Sequence, residues 1–164
     1  MNIVGMKQYM KHKDGTYVAL LMDDETKELL DNFVEMNLGL SERVDPSTYH
    51  TTVIYSRTPV PNADNLRSGP ATAKAVGYEV FPTKTDGKCL VMRVECAAAT
   101  MLNKQLSKMG ATSDYDEYKP HITICYNYNG SDKVSDLPIP QFSLGFKGFE
   151  VKPLEPDFIP ANKE

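Results

Sequence analysis

The stretch Tyr49-His50-Thr51-Thr52-Val53-Ile54-Tyr55 returns later in the chain as Pro120-His121-Ile122-Thr123-Ile124-Cys125-Tyr126. Each copy sets a His-x-Thr triplet inside an apolar, β-branched run bounded by turn formers, which is the pattern of a strand. Side chains alternate along a strand, so residues i and i+2 share a face. A regular strand places His50, Thr52 and Ile54 on one side and Thr51, Val53 and Tyr55 on the other. In the second copy His121, Thr123 and Cys125 oppose Ile122, Ile124 and Tyr126. The chain builds one imidazole–hydroxyl pair twice.

The repetition reaches beyond the two triplets. His50 and His121 lie 71 positions apart, and the same offset relates Gly39 to Gly110 and Gly77 to Gly148. Gly77-Tyr78-Glu79-Val80-Phe81-Pro82 answers Gly148-Phe149-Glu150-Val151-Lys152-Pro153. Between these landmarks the elements follow one order. A strand is expected over 16–22, then a helix capped by Asp23 or Asp24 and running to about Asn37. Leu29, Leu30, Phe33, Val34 and Met36 form its inner side, and Gly39 is its stop. The His50 strand and a proline-bearing loop over 57–70 follow. Strands over 71–83 and 88–95 are joined at Asp86-Gly87, a strong hairpin signal. A helix over 97–109 stops at Gly110, and the His121 strand and a last strand over 141–152 complete the series.

A constant offset across helix end, histidine strand and following strand implies two copies of a strand–helix–strand–strand unit, about 16–83 and 88–152. The residues from 153 to 164 form a tail. The fold expected is α+β and bilobal: antiparallel sheets related by a pseudo-two-fold axis around a central cleft, with helices outside. With 164 residues, 41% of them hydrophobic, one sizeable core is possible and a single domain is expected.

A net charge of −4 argues against a grip on long nucleic acid, which needs a broad basic surface. It leaves room for a small phosphate ligand in a locally positive cleft. The three cysteines, Cys89, Cys96 and Cys125, are odd in number and lack metal-ligand spacing. No apolar run spans a bilayer and the N-terminal segment is no signal peptide, so a reducing cytoplasm is the expected setting. No obligatory protein partner is implied.

Histidine is the side chain whose ordinary pKa permits either acid or base duty near neutrality. Breaking an RNA-type phosphodiester needs both at once. One group takes the proton of the attacking hydroxyl, and another protonates the departing 5′-oxygen. In-line displacement sets them on opposite sides of phosphorus, as a two-fold cleft does. Thr52 and Thr123 can each donate to a non-bridging oxygen whose charge grows in the transition state. There is no paired-carboxylate, His-x-x-x-His or Cys-x-x-Cys spacing, so neither metal nor cofactor is implied.

His50, Thr52, His121 and Thr123 are therefore the candidate catalytic residues. His12 sits in a basic arm and reads as a solvated surface residue. Thr51, Tyr55 and Tyr126 are expected to face the core. Cys125 shares the cleft face and reads as a small buried thiol. Glu79 and Glu150 are equivalent in the repeat: either is structural or accepts the exocyclic amine of a base, with Glu150 favoured. Tyr17, Phe81, Tyr118 and Phe149 are candidate stacking platforms for bases.

With HTT at 50–52 and HIT at 121–123 on equivalent strands, the chain resembles the two-histidine (2H) phosphoesterase superfamily over nearly its whole length. STYHTTVIYS and DEYKPHITICYNYNG look like the phage anti-CBASS phosphodiesterases, which degrade cyclic di- and trinucleotide messengers of bacterial antiviral signalling. The resemblance implies metal-independent hydrolysis of a 3′–5′ bond of a cyclic oligonucleotide. A neighbouring 2′-hydroxyl attacks, one histidine is base and the other acid, and the product ends in a 2′,3′-cyclic phosphate. Two alternatives stand beside it: a 2′,3′-cyclic phosphodiesterase or 2′–5′ oligonucleotide esterase of RNA metabolism, and a nucleotide-sequestering protein that cuts nothing. The tail is a candidate lid over bound ligand.

Overall fold

The computed structural model describes residues 15–83 and 87–154. His12, Asp86 of the expected hairpin turn and the tail beyond Leu154 lie outside the described residues. The chain runs β1 (Thr16–Met22), α1 (Asp24–Asn37), β2 (His50–Ser56), β3 (Ala71–Pro82), β4 (Lys88–Glu95), α2 (Ala97–Lys108), β5 (His121–Cys125) and β6 (Leu144–Pro153). Short 3-10 turns at Pro46–Thr48 and Ala63–Asn65 punctuate the loops on either side of β2.

Local chemistry accounts for the boundaries. Asp23 caps α1 by accepting from the Thr26 amide at 2.8 Å, satisfying one of the free N–H groups of the first turn. Gly39 and Gly110 end their helices at φ 58° and 105°, a conformation that a side chain strains. The buried stripe of α1 is narrower than expected: Thr26, Leu30 and Val34 face inward at i, i+4 spacing. Leu29 is 43% and Met36 82% exposed, because each lies about a quarter-turn or more off that stripe. β6 begins at Leu144 rather than near Gln141, at the point where Ala73 of β3 becomes its partner.

All strand pairs are antiparallel, and the six strands form one sheet in the order β2-β1-β6-β3-β4-β5. That order exchanges the last strand of each repeat. β3 closes the first repeat in sequence yet pairs along most of its length with β4 of the second. β6 closes the second repeat and pairs with β1 of the first. Each spatial lobe is therefore made from both halves of the chain, β2-β1-β6 on one side and β5-β4-β3 on the other. The main hydrophobic core runs through both, from Val18, Leu20 and Met22 to Leu90, Met92, Ile122 and Ile124, and Phe81, Cys89 and Val91 form a smaller cluster apart from it. α1 leans on β6, while α2 leans on β2 and β3.

Four β-bulges obey the repeat. Val53 in β2 and Ile124 in β5 are each an extra residue against their partner strand, and they differ by the repeat offset. Val76 in β3 and Lys147 in β6 are extra in the same way, each next to the glycine shared by both repeats. A bulge resets the alternation of everything beyond it. Ile54 and Cys125 turn into the core, 3% and 2% exposed, and not onto the histidine face. Tyr55 and Tyr126 turn out of the core and join the histidines, which reverses their expected orientation.

The core-facing position after each histidine is also unequal. Ile122 packs without a polar atom, whereas Thr51 is fully buried and its hydroxyl has no partner among the described residues. A buried hydroxyl without a partner costs more than an isosteric methyl. Thr51→Val should therefore raise the unfolding free energy by about 1 kcal/mol in urea titrations. An unchanged or lower midpoint would show that the hydroxyl is satisfied.

Candidate active site

β2 and β5 are the two outer strands of the sheet, and they approach one another. His50 opens β2 and His121 opens β5, both half-buried. Each imidazole is held in the same way from two residues upstream. His50 Nδ1 lies 2.7 Å from the Thr48 carbonyl, and His121 Nδ1 lies 2.8 Å from the Lys119 carbonyl. A carbonyl has no proton to give, so Nδ1 carries the hydrogen and Nε2 keeps its lone pair. A charge on His50 would lower the pKa of His121.

Sheet register carries the geometry inward in three rows. The first row is His50, Leu21 and Gly148 in one lobe, against His121, Arg93 and Gly77 in the other. The second is Thr52, Ala19 and Glu150, against Thr123, Val91 and Glu79. The third is Tyr55, Tyr17 and Lys152, and across from it Cys89 pairs with Phe81 beside Tyr126. Of the expected site residues, His50, Thr52, His121, Thr123, Tyr17, Phe81 and Glu150 thus share the cleft-facing side.

The hydroxyls form a cluster. Thr52 Oγ1 lies 3.2 Å from the Tyr17 hydroxyl and donates to the Tyr55 hydroxyl at 3.4 Å. The rings of Tyr17 and Tyr55 meet edge-on with centroids 5.3 Å apart. On the other side the Thr123 side chain works against the burial that raises the pKa of Tyr126. Burial raises the pKa of Tyr17, Tyr55 and Tyr126, so these phenols stay protonated.

The bulged strands are braced. The buried Val53 carbonyl accepts from Asn103 Nδ2 of α2 at 2.9 Å, and the Ile124 carbonyl accepts from the Val44 amide at 2.9 Å. The Tyr118 hydroxyl donates to the Thr52 carbonyl at 2.8 Å, and its ring packs on the core. Tyr118 is a strut under the first motif and not an exposed platform. Phe149 shares its row with Leu20 and Thr51 and packs against the core, so it too faces away from the cleft. Phe81 is buried, with its ring edge-to-face on His121 at 5.3 Å. It seats the imidazole and offers no open face.

Charge is arranged unevenly. Arg93 stands directly beside His121 in the ladder and hydrogen-bonds Glu79, while its Nε is buried without a partner among the described residues. Glu150 lies 3.7 Å from Lys152, whose ammonium sits 5.1 Å from the centre of the Tyr17 ring. Burial holds His121 below its ordinary value of 6.5. The Lys119 carbonyl pulls the other way, the charges of His50 and Arg93 push further down, and Glu79 pulls up. Among the described residues no group of three or more His, Cys, Asp or Glu is placed to hold a metal ion. No described helix is long and apolar enough to cross a membrane.

Sequence reasoning missed Tyr55, Tyr126 and Arg93. A tyrosine stands five residues after each histidine, and that echo was visible, but the bulges that turn it into the cleft were not. Arg93 had a signal as the one charge inside the apolar run CLVMRV.

An antiparallel sheet exchanged between two repeats, with a His-x-Thr pair from each on one cleft, is the fold of the 2H phosphoesterases. It overlays TT0787 of Thermus thermophilus with a TM-score of 0.60 at 14% identity, over 84% of this chain and 86% of that one. Escherichia coli LigT complexed with 3′-AMP gives 0.57 at 17% identity, over 84% and 86%.

The chain belongs to the family described as anti-CBASS protein Acb1, whose family model matches residues 14–160. It is 35% identical over 117 residues to the anti-CBASS protein Acb1 of Vibrio phage KVP40, covering 69% of this chain and 73% of the relative. It is 30% identical over 136 residues to that of Enterobacteria phage T4, covering 82% and 87%.

The depressed pKa of His121 fixes the sign of a pH effect on stability. Unfolded, its imidazole titrates near 6.5; folded, it titrates lower, so between the two values the unfolded chain binds more protons. The stability gained from burying it neutral is complete above about pH 6.5 and is lost as the pH falls below that. Urea unfolding at a series of pH values should show a steeper acid-side decline for the native chain than for His121→Gln. Equal slopes would remove the assignment.

Proposed function

We propose that this chain is a metal-independent phosphodiesterase that opens 3′–5′ bonds of cyclic di- and trinucleotides, with His50 and His121 as acid and base. The observation that carries the reading is the matched pair of imidazoles. Each is locked through Nδ1 by a main-chain carbonyl, each has Nε2 without a partner among the described residues, and each has a threonine two residues on along the same face.

The unequal surroundings divide the duties. His121, kept neutral by burial and by Arg93, is the group suited to take a proton. Its Nε2 accepts the proton of the ribose 2′-hydroxyl as that oxygen bonds to phosphorus. The bond from phosphorus to the 5′-oxygen breaks, and that oxygen leaves with the proton from protonated His50. Thr52 and Thr123 donate to the non-bridging oxygens as their charge grows. The ring becomes a linear chain ending in a 2′,3′-cyclic phosphate, which water opens to a 3′-phosphate with the two histidines in exchanged roles.

Of the two repeated carboxylates, Glu79 is held by Arg93, whereas Glu150 keeps only a 3.7 Å pairing with Lys152 and is more exposed. Glu150 is therefore the one to accept the amine of a base edge. The family's description as anti-CBASS supports an activity directed against host CBASS signalling, in the host cytoplasm.

The decisive test incubates the protein with cyclic and linear 2′–5′ and 3′–5′ oligonucleotides in excess EDTA and follows the products by mass spectrometry. Cyclic 3′–5′ rings should open, and a substrate lacking the 2′-hydroxyl beside the scissile phosphate should survive. His50→Ala and His121→Ala should each lower turnover roughly 10²–10⁴-fold. Binding without cleavage would turn the reading into sequestration, and preferred cleavage of 2′–5′ or 2′,3′-cyclic ends would move it to RNA metabolism.

A further inference from the structure

We propose that Arg93 and the open floor at Gly77 form a second phosphate subsite, which takes the phosphate on the 5′ side of the attacking ribose. The inference rests on the phosphodiesterase reading and adds to it why a ligand with more than one phosphate is the substrate class.

The two lobes differ in the row that carries the histidines. His121, Arg93 and Gly77 are ladder partners in one lobe, and His50, Leu21 and Gly148 in the other. Residues paired across a ladder present their side chains to one face. Neighbouring strands lie roughly 5 Å apart, so Arg93 stands one strand out from His121 and Gly77 roughly 10 Å out. The first lobe has no cation in this row, and its glycine is covered. A side chain at Gly148 would collide with the Ser68 hydroxyl, which accepts from the Phe149 amide at 2.8 Å. A side chain at Gly77 would meet nothing within 4 Å. The repeat is broken twice in one place: a cation is present and the floor beside it is open.

Arg93 is available to a ligand. A guanidinium carries five N–H donors in a planar fork that matches phosphate geometry. Glu79 accepts from Nη1, and Nη2 has no hydrogen-bond partner among the described residues. Nε is buried without an acceptor among those residues, while 28% of the side chain stays exposed. The group is short of acceptors in the free protein, and an unmatched donor on a charged group is costly. An anion on the open floor relieves that shortage.

Phosphate is the anion that a nucleotide ligand brings, one for each nucleotide of a ring. With the scissile phosphate between the histidines and His121 taking the 2′-hydroxyl proton, the attacking ribose lies on the His121 side. The next phosphate from that ribose is the one on its own 5′-oxygen, and in the second lobe it meets Arg93. In a cyclic dinucleotide this is the other phosphate of the ring. A 2′,3′-cyclic mononucleotide with a free 5′-hydroxyl has no group to place there. Binding at this subsite makes and breaks no covalent bond.

The test compares, in EDTA, two linear 3′–5′ dinucleotides that differ only in a 5′-phosphate on the nucleoside whose 2′-hydroxyl attacks. In the native chain the phosphorylated one should show a KM roughly 10- to 100-fold lower, the range of a charge-assisted pairing. Arg93→Gln should abolish that preference. Any effect it has on His121 reaches both substrates alike and cancels in the ratio. Gly77→Val leaves Arg93 and Glu79 in place and fills the floor, and it should abolish the preference too. Equal KM values in the native chain, or a native-sized preference in either variant, overturn the proposal. So does a loss confined to guanine-bearing substrates, which would show the guanidinium reading a base edge.

Binding separates the subsite from the reaction. The same two dinucleotides without the 2′-hydroxyl are titrated by calorimetry, and the ratio of their Kd values should follow the same pattern across the three proteins. If the native protein cleaves nothing, the phosphodiesterase reading fails while the Kd ratio still decides the subsite; equal Kd values in the native chain would end it.

Discussion

One extra residue in each histidine strand determines which side chains this cleft contains. A regular ladder alternates faces without exception, so a strand that presents His and Thr to one side presents the fifth residue after the histidine to the other. Val53 and Ile124 break that parity. A bulge leaves main-chain groups unpaired, and a buried carbonyl without a partner is costly. The chain meets the requirement by bracing across the structure: Asn103 of α2 holds the Val53 carbonyl, and the Val44 amide holds the Ile124 carbonyl. Each bulge is thus supported by an element from the other sequence repeat, and the geometry of one histidine depends on the folding of both.

The same interdependence appears in the sheet. Were each repeat to keep its own last strand, the chain would be two small sheets with separate cores, each a marginal unit by size. Exchanging β3 and β6 joins them through the short ladder between Ala71–Ala73 and Leu144–Phe146 and gives one continuous main core. It also places Glu150 in the lobe of Thr52 and Glu79 in the lobe of Thr123, each two strands from its threonine. A carboxylate supplied by one repeat therefore shares a row of the sheet with a threonine supplied by the other.

Much of this was legible in the sequence because the signals were local or doubled. Strand and helix limits followed from Gly39, Gly110, Asp23 and the β-branched runs, and the 71-residue offset gave the pseudo-symmetry and the four His and Thr positions. The strand exchange was not legible, since an offset says which segments are equivalent and nothing about which strand each pairs with. The bulges escaped for a related reason: Val53 and Ile124 have the composition of ordinary strand residues, and only the partner strand's register reveals them as extra. That single omission misplaced Tyr55, Tyr126, Ile54 and Cys125 together. Tyr118 and Phe149 failed as platforms because an aromatic side chain in a sequence carries no mark of which face it takes.

A two-fold device makes two equivalent histidines, yet the acid–base catalysis proposed for them needs one to hold a proton while the other lacks it. The residues that break the symmetry lie around the rings and not in the motifs. Arg93 stands beside His121 where Leu21 stands beside His50, and Phe81 takes the place that Lys152 holds in the other lobe. Both changes act in one direction at His121: an aromatic edge removes water, and a guanidinium adds positive charge. Glu79 tempers the second effect by pairing with Arg93, so the cation lowers the proton affinity of His121 without leaving an uncompensated charge in a half-buried site. The repeat supplies two like imidazoles, and these unequal neighbours give them different surroundings.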